Sequence, residues 1–282
     1  MLRLAALLLL PSLAVAAVPN YTLIDLGPAN DPNGTNWPDP ECQEIAAGKD
    51  SAQHPVYTCR EWDFEATSSL ESYHVWAGYA QLTVTDPSHP AETYRRPVEF
   101  YQDCCGQPPP YAGLKTLAMP HSESTSAGEA LSISQGGEYA VGYAAYYRSN
   151  TSGGFSLVRH AVAWDHEVPV QLPALAGTGA QYDSAAYSAN QWGEFVGQSE
   201  IRLSAGGYAS RATVWIAHVP HELQYMLSPA VPVILSLAGW IDCAGNIGAL
   251  GWPMDIGLHP LSTNYPHAYL LLRNGTARQC AQ

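Results

Sequence analysis

The stretch "EALSISQGGEYAVGY", residues 129–143, has the pattern of a strand, a Gly-Gly turn and a second strand. A similar stretch, "AAYSANQWGEFVGQ", follows at residues 185–198. A ligand-binding glycine loop has no need to occur twice, whereas a structural repeat must recur. The recurrence therefore favours the repeating unit of a β scaffold over an active-site loop.

A short strand that opens with a basic residue occurs four times, at steps of 51 to 64 residues. Its copies are "RPVEF" (96–100), "HAVAW" (160–164), "RATVW" (211–215) and "HAYLL" (267–271). A glycine predicted to end the preceding strand recurs at steps of 54 to 64 residues, as Gly78, Gly142, Gly197 and Gly251. Because two independent markers repeat together, they predict four structural units.

A fourth strand is predicted at the end of each of the first three units, at residues 113–119, 170–175 and 222–227. The last unit lacks such a strand, but "YTLIDLG", residues 21–27, has the required pattern. Ring closure protects sheet edges that would otherwise stay unpaired. We therefore predict an all-β, β-propeller-like fold of about four blades, each with four antiparallel strands, closed by pairing of 21–27 with the strand at 267–271.

The order of these elements resembles the HAF repeat family of bacterial extracellular repeat proteins, whose units run as "AxxIN", "GQVVGY", "HAFLW" and "DLG". The matching residues are Ile133, Gly137, Val141, Gly142 and Tyr143 with "HAVAW"; Gly193, Val196 and Gly197 with "RATVW"; Gly245, Gly251 and Trp252 with "HAYLL"; and "YTLIDLG". The resemblance implies a propeller-like β architecture and secretion. It implies no particular chemistry, because the family has no general assigned activity.

The first 17 residues have the three parts of a secretory signal peptide. Arg3 is followed by an apolar run at 4–10 and by "AVA" at 14–16, a small-residue cleavage site. The run is shorter than the roughly 18 residues that a membrane span needs. The sequence predicts a secreted protein, extracellular or periplasmic, without a membrane span after cleavage.

The mature chain is predicted to form a single propeller-like domain over residues 18–282. Its units are an irregular, loop-rich first unit at about 28–119 and repeats at about 120–175, 176–228 and 229–282. A second apolar stretch, at 226–241, is also too short for a span and carries two prolines.

The chain is strongly acidic. Its 282 residues include 12 Lys and Arg against 25 Asp and Glu, which gives a net charge of −13, and loss of Arg3 with the signal peptide makes it −14. Such a surface repels phosphate backbones, so nucleic acid is not an expected partner. With 46% hydrophobic and 13% charged residues the composition is that of a folded protein.

Six cysteines in an exported chain predict disulfides, and three bridges allow 15 connectivities. The candidates are Cys42, Cys59, Cys104, Cys105, Cys243 and Cys280. Cys42 can pair with its neighbour Cys59, and Cys243 with Cys280, but the spacing does not settle the connectivity. In a eukaryotic host the Asn-X-Ser/Thr triplets would accept glycans at Asn20, Asn33, Asn150 and Asn274.

No catalytic, cofactor-binding or metal-ligating residue is predicted. Nucleophile-elbow, phosphate-loop and HEXXH motifs do not occur in the sequence. His160 and His267 open strands that elsewhere open with arginine, which is not a metal ligand, so a structural role is expected for them. The ligand-type side chains of "WDHEV" (164–168) and "HVPHE" (218–222) fall in predicted turns.

Two further chemical possibilities stay open. The Asp- and Asn-rich stretch at 30–41 has oxygen ligands suited to a structural calcium ion, but it lacks the EF-hand order, and a plain loop explains it better. Paired carboxylates for glycan hydrolysis converge only in three dimensions. The acids that qualify by residue type are Asp63, Glu65, Asp103 and Glu167.

The loops between second and third strands differ most between the repeats. The loops at 144–154 and 205–210 are rich in Tyr, Ser, Gly and Asn, a composition that suits adaptable binding surfaces and ordinary loops alike. We predict a secreted, non-catalytic protein that binds a surface, glycan or protein partner through these loops. The alternatives are a secreted glycan-active hydrolase or lyase and a structural matrix or envelope component.

Overall fold

A computed structural model of the protein describes residues 18–28, 44–49, 55–59, 66–67, 73–86, 89–103, 115–120, 125–134, 137–149, 155–177, 182–254, 266–275 and 278. Side chains are described at 18–28, 117–120, 128–134, 137–145, 158–177, 182–254, 266–275 and 278. The strands, in chain order, are β1 Tyr21–Pro28, β2 Glu44–Lys49, β3 Pro55–Cys59, β4 Ala66–Thr67, β5 Tyr73–Asp86, β6 His89–Asp103, β7 Lys115–Thr116, β8 Thr125–Ile133, β9 Tyr139–Ser149, β10 Phe155–Asp165, β11 Val168–Gln171, β12 Ser184–Ala189, β13 Glu194–Arg202, β14 Tyr208–Ile216, β15 Val219–Glu222, β16 Val233–Ile241, β17 Ile247–Pro253 and β18 His267–Arg273. One 3₁₀ helix, Leu223–Met226, follows β15.

These strands form four antiparallel sheets that follow one another along the chain. The first sheet contains β2, β3, β5, β6 and β7 in that order, with β4 paired to β5; the second runs β8 to β11, the third β12 to β15, and the last is ordered β16, β17, β18 and β1. The prediction of an all-β, antiparallel fold is confirmed. The first sheet has six strands instead of the predicted four.

The strand near the start of the chain completes the last sheet. β1 pairs antiparallel with β18, from Tyr21 opposite Arg273 to Pro28 opposite His267, with an irregularity between Asp25 and Gly27. The predicted pairing of residues 21–27 with the strand at 267–271 is therefore confirmed. It joins the two ends of the described chain within one sheet.

Successive sheets pack in the same way. The first strand of each later sheet lies across the face of the sheet before it: β8 on β5 and β6, β12 on β9 and β10, and β16 on β13 and β14. Where β8, β12 and β16 meet, Leu131, Tyr187 and Leu237 form an apolar cluster with Tyr143. Among the described strands no packing of this extent joins the last sheet to the first, so these residues do not show a closed ring.

The recurring glycine lies inside the second strand of each repeat, not at its end as predicted. Gly142, Gly197 and Gly251 pair with Ala130, Ala186 and Leu235, and each partner strand has a register shift directly after that pair. A Cβ atom on any of the three would collide with a backbone carbonyl oxygen of the partner strand. The glycine therefore recurs because the two backbones approach too closely at the bulge for a side chain.

The turn between first and second strands also repeats. The amides of Gly137, Gly193 and Gly245 donate to the carbonyls of Ser134, Asn190 and Asp242. All three glycines have positive φ angles, of 76°, 68° and 87°. The quoted Gly-Gly sequence thus serves a tight turn in which a left-handed residue is needed.

Two buried tryptophans link the second and third sheets to the sheets before them. The indole Nε1 of Trp164 donates to the carbonyl oxygen of Ala118 at 2.6 Å, and that of Trp215 donates to Pro173 at 2.8 Å. Ala118 follows β7 and Pro173 follows β11, the last strands of the preceding sheets in chain order. The "W" of the repeat therefore fixes the spacing between neighbouring sheets as well as filling the core.

Candidate functional site

A polar pair joins the third strand to the fourth in three sheets. The pairs are His160 Nδ1 with Gln171 Nε2 at 2.9 Å, Arg211 Nε with Glu222 Oε1 at 3.3 Å, and His267 Nδ1 with the carboxylate of Asp25 at 2.9 Å. In each pair the fourth-strand residue lies opposite the position two residues after the basic one. Only His267 opens its strand; His160 and Arg211 lie inside β10 and β14, not at their start as predicted. All three basic residues are part of the sheet structure, which explains why His and Arg can exchange there.

Of the ligand-type residues of "WDHEV" and "HVPHE", His166, Glu167 and His218 lie in hairpin turns, as predicted, whereas Asp165 ends β10 and His221 and Glu222 belong to strand β15. His166 and Glu167 have φ angles of 47° and 69°, and Ala217 and His218 have 49° and 64°, values that a two-residue hairpin turn requires. His166 Nδ1 lies 2.6 Å from Asp165 Oδ1. This hydrogen bond and the carboxylate charge raise the pKa of the exposed His166 imidazole.

The predicted disulfide and glycan positions are only partly described. Cys243 is disulfide-bonded. Its partner's side chain is not among those described, so pairing with Cys280 stays a prediction. Backbone alone is described for Cys59, while Cys42, Cys104, Cys105, Cys280, Asn33 and Asn150 lie outside the described residues.

Two of the predicted glycan acceptors meet at the start of β1. Asn20 and Asn274 are both exposed, and the Asn274 amide N–H donates to the Asn20 carbonyl at 2.8 Å. The Thr22 hydroxyl donates to Asn274 Oδ1, also at 2.8 Å. Thr22, the hydroxyl residue of the Asn20 triplet, is thus hydrogen-bonded to the side-chain amide of Asn274, the predicted glycan acceptor of the other triplet.

Of the four acids that qualified for glycan hydrolysis, only Glu167 has a described side chain, so the carboxylate pair stays a prediction. Glu167 occupies the turn between β10 and β11, and Asp103 ends β6 with its side chain undescribed. Asp63, Glu65 and the calcium-loop candidate at 30–41 lie outside the described residues.

An exposed surface with a shallow depression lies at the hairpin between β13 and β14. We define the loop surface as Tyr182 together with residues 202–208, which enclose a shallow open depression lined by 202–206. The turn is closed by hydrogen bonds from Gly206 N to Leu203 O at 3.0 Å and from Leu203 N to Gly207 O at 3.1 Å. Its backbone is therefore held in one shape.

An aromatic platform stands on this turn. The Tyr208 side chain is 50% exposed, and its ring meets that of Tyr182 edge-on, with centroids 5.8 Å apart and an interplanar angle of 75°. Tyr182 itself is 8% exposed. The buried ring supports the exposed ring, which can therefore present a face to a ligand without first being ordered.

Asp183 anchors this platform to two sheets. Its carboxylate accepts from the Arg159 guanidinium at 2.7 Å and from the Arg159 backbone amide at 2.7 Å. Its backbone carbonyl accepts from Glu200 N at 2.8 Å, and its amide donates to Glu200 Oε2 at 3.0 Å. Tyr182, the adjacent residue, is thereby fixed between the second and third sheets.

A second polar cluster lies at the opposite end of β13 and is mostly buried. Glu194 is 3% exposed; its carboxylate oxygens lie 2.9 and 2.7 Å from Arg273 Nη1 and 3.2 Å from Arg278 Nη2. Asn190 Nδ2 also donates to Glu194, at 2.9 Å. Arg278 lies over the Trp192 ring at 5.4 Å from its centroid. Through these contacts the cluster joins the third sheet, the last sheet and residue 278, although Arg278 Nη1 is buried without a hydrogen-bond partner among the described residues.

Sequence reasoning identified the Tyr208 loop but missed Tyr182, Arg202 and the Glu194 cluster. The interacting partners lie far apart in the sequence, 79 residues in the case of Glu194 and Arg273. A single sequence offers no signal for such pairs, because only the packing of neighbouring sheets brings them together.

Two structural findings, on metal ligands and on membrane-spanning helices, concern the described residues alone. Among them, no group of three or more His, Cys, Asp or Glu side chains is arranged to hold a metal ion. No helix in the described part of the chain is long and apolar enough to cross a membrane.

Comparison with known proteins found no match to a protein-family model, to a curated protein or to a solved structure. The resemblance to HAF repeats therefore stays a prediction from the residues quoted above.

Proposed function

We propose that this protein is a secreted, non-catalytic, β-propeller-like protein that binds carbohydrate through the loop surface. The observation that carries the proposal is the Tyr208 ring, half exposed and held edge-on by the buried Tyr182. The face of such a ring stacks on the C–H face of a sugar, because both surfaces are flat and apolar. Polar groups of the adjoining turn can hydrogen-bond the sugar hydroxyls and fix its orientation.

The small extent of the platform favours a sugar over a protein partner. Its large exposed apolar side chains are Leu203, at 37% exposure, and Tyr208. A stable protein interface buries about 800 Å² on each partner around a well-packed centre. A sugar ring requires only one aromatic face with polar groups beside it, which this surface provides.

Three observations support the propeller-like architecture. Four antiparallel sheets succeed one another along the chain, and each later sheet lays its first strand across the preceding sheet. β1 supplies the outer strand of the last sheet, which a ring closed through its own termini requires. We propose that the first sheet packs against the last to complete the ring.

Secretion is supported by the signal-peptide pattern of residues 1–17 and by the disulfide at Cys243. Disulfides persist in oxidising compartments, whereas reducing compartments keep cysteines as free thiols. In this proposal the loop surface is a binding site and not a reaction centre, because the sequence contains no nucleophile-elbow, phosphate-loop or HEXXH motif.

The test is a glycan array probed with the mature protein, residues 18–282, and with two variants. We expect the parent protein to retain one or more glycans and Tyr208→Ala to lose about fivefold or more in affinity, taking as a guide the roughly 1–3 kcal/mol that a flat ring such as a nucleobase gains by stacking on an aromatic side chain. Tyr225→Ala is the matched control, because Tyr225 is a tyrosine 81% exposed and lies outside the loop surface.

Retention of all glycans by Tyr208→Ala would contradict the proposal, and so would an array without binding. A near-ultraviolet circular dichroism spectrum of each variant shows whether its fold is intact. Binding of a purified protein partner in place of glycans would assign the surface to the other class of ligand.

A further inference from the structure

Arg202, which has no carboxylate partner among the residues that the structure describes, is the feature of the loop surface that identifies its ligand further. We propose that the loop surface binds a sugar that carries a carboxylate, a uronic acid unit, with the carboxylate on Arg202 and the sugar ring on Tyr208. This inference rests on the proposed carbohydrate-binding function and names the class of sugar.

Arg202 differs from the other arginines whose side chains are described. Four of them contact carboxylates: Arg159 with Asp183, Arg211 with Glu222, and Arg273 and Arg278 with Glu194. Arg202 is exposed and has no carboxylate partner within the described part of the chain. In a protein of net charge −13, Arg202 thus offers a cation to a ligand beside an aromatic ring, with no carboxylate of the described residues bound to it.

Arg202 and Tyr208 are placed to act on one ligand. They are cross-strand partners at the last pair of the β13–β14 hairpin. Side chains of directly opposed residues project from the same face of a hairpin, with Cβ atoms about 5 Å apart. A uronic acid carries its carboxylate at the edge of the ring, so a ring stacked on Tyr208 directs that group toward the neighbouring guanidinium.

The chemistry of the guanidinium favours a carboxylate. Its planar array of N–H donors matches the two oxygens of a carboxylate and forms paired, charge-assisted hydrogen bonds. A neutral hydroxyl gains less from the same contact. The depression lined by 202–206 adds the Ser204 side chain and turn backbone beside this pair.

The charge of the whole molecule limits how many carboxylates the ligand can carry. The acidic surface repels a polyanion at distances up to the Debye length, about 8 Å at physiological ionic strength. A single carboxylate beside Arg202 gains the local attraction and adds little repulsion. We therefore expect preference for isolated uronic acids over polyuronates.

Isothermal titration calorimetry with four matched pairs of oligosaccharides tests this inference on the mature chain. Each pair consists of a neutral oligomer, of xylose, glucose, galactose or mannose, and the same oligomer bearing one uronic acid unit. We expect at least one acidic member to bind about threefold to tenfold more tightly than its neutral counterpart. Arg202→Gln removes this preference, whereas Tyr208→Ala weakens both members of the pair equally.

The outcomes separate this inference from the proposed function. Equal affinity for neutral and acidic members, with binding still lost in Tyr208→Ala, overturns the uronic acid inference and leaves carbohydrate binding intact. If Tyr208→Ala binds as tightly as the parent protein, both the inference and the proposed function are overturned. If none of the four pairs binds, the uronic acid inference is overturned, and the glycan array decides on carbohydrate binding. Tighter binding of an oligomer of ten uronic acid units than of the singly acidic oligosaccharides also overturns the inference, and so does binding of a Glu-rich hexapeptide alone. For the inference to stand, Tyr225→Ala must keep the preference unchanged.

Discussion

Gly197 lies where β12 and β13 approach most closely, and the same environment recurs at Gly142 and Gly251. A Cβ atom at Gly197 would collide with the Ala185 carbonyl oxygen and lie 2.9 Å from the Ala186 Cα atom. Both obstacles are backbone atoms of a buried, paired strand and cannot rotate away. The conformational freedom of glycine is secondary here, because φ at Gly197 is not in the left-handed region.

We expect Gly197→Ala to lower the free energy of unfolding by about 3 kcal/mol, since the strands must separate to admit a methyl group. Gly206→Ala is the matched control: nothing lies within 4 Å of its Cβ position, and its φ of +89° costs about 1 kcal/mol. Urea denaturation with intact disulfides measures both. Equal losses in the two variants would contradict the steric account.

The recurring basic residue of the third strands, His160, Arg211 or His267, shows what a sequence can reveal at the level of single residues. Exchange of His and Arg between repeats predicted a structural role, and Arg211 indeed contacts Glu222. The partner itself was not predictable, because a diagonal contact between strands depends on the register, which the two-residue turn at Ala217 and His218 sets.

At the scale of elements, the strand pattern was easier to predict than the ends of the strands. The second and third strands of the repeats formed where their alternation indicated. The stretch 222–227 was predicted as a strand, but only Glu222 belongs to β15, and Leu223–Met226 form a 3₁₀ helix. Leu223, Tyr225 and Leu227 alternate with polar or flexible residues in the sequence, but the helix buries Leu223 and Met226 at three-residue spacing and leaves Tyr225 81% exposed.

β1 is the element on which the last sheet most depends, since it covers the edge of β18. Its side chains divide between two environments: Leu23 packs against the core cluster that contains Tyr269 and Leu271, whereas Leu26 is 60% exposed. Tyr21 begins the strand fully buried, and burial raises the pKa of its hydroxyl despite the opposing charge of Arg273. The docking of β1 therefore relies on the inward-facing residues of one strand.

We expect Leu23→Asp to lower the free energy of unfolding by about 2–4 kcal/mol, because it places a carboxylate against apolar side chains. Leu26→Asp, the same substitution three residues along, is expected to change it by less than about 0.5 kcal/mol. Hydrogen exchange of the β18 amides should accelerate in the first variant alone. Similar effects of the two substitutions would refute the packing assigned to β1.

At the scale of the molecule, the Glu194 cluster and the β1–β18 pairing connect the same parts of the chain. Glu194 begins β13, Arg273 ends β18, and Arg278 follows five residues later, while Trp192 Nε1 donates to the carbonyl of the disulfide-bonded Cys243 at 2.8 Å. The repeat pattern predicts the sheets but not this cluster, since Glu138 and Asn246 occupy the matching positions in the other repeats. The cluster is thus specific to the junction of the third and last sheets.

The charge balance of this junction leads to the last prediction. Glu194→Gln leaves Arg273, whose side chain is 13% exposed, without its carboxylate, and removal of one partner from a buried ion pair costs about 3–5 kcal/mol. Arg278→Gln costs about 1 kcal/mol or less, because Arg278 is 33% exposed and Arg273 still pairs with Glu194. Urea denaturation of both single variants and the double variant separates the contributions. If the two single losses prove equal, or simply add in the double variant, Glu194 does not hold the two sheets and residue 278 together as one unit.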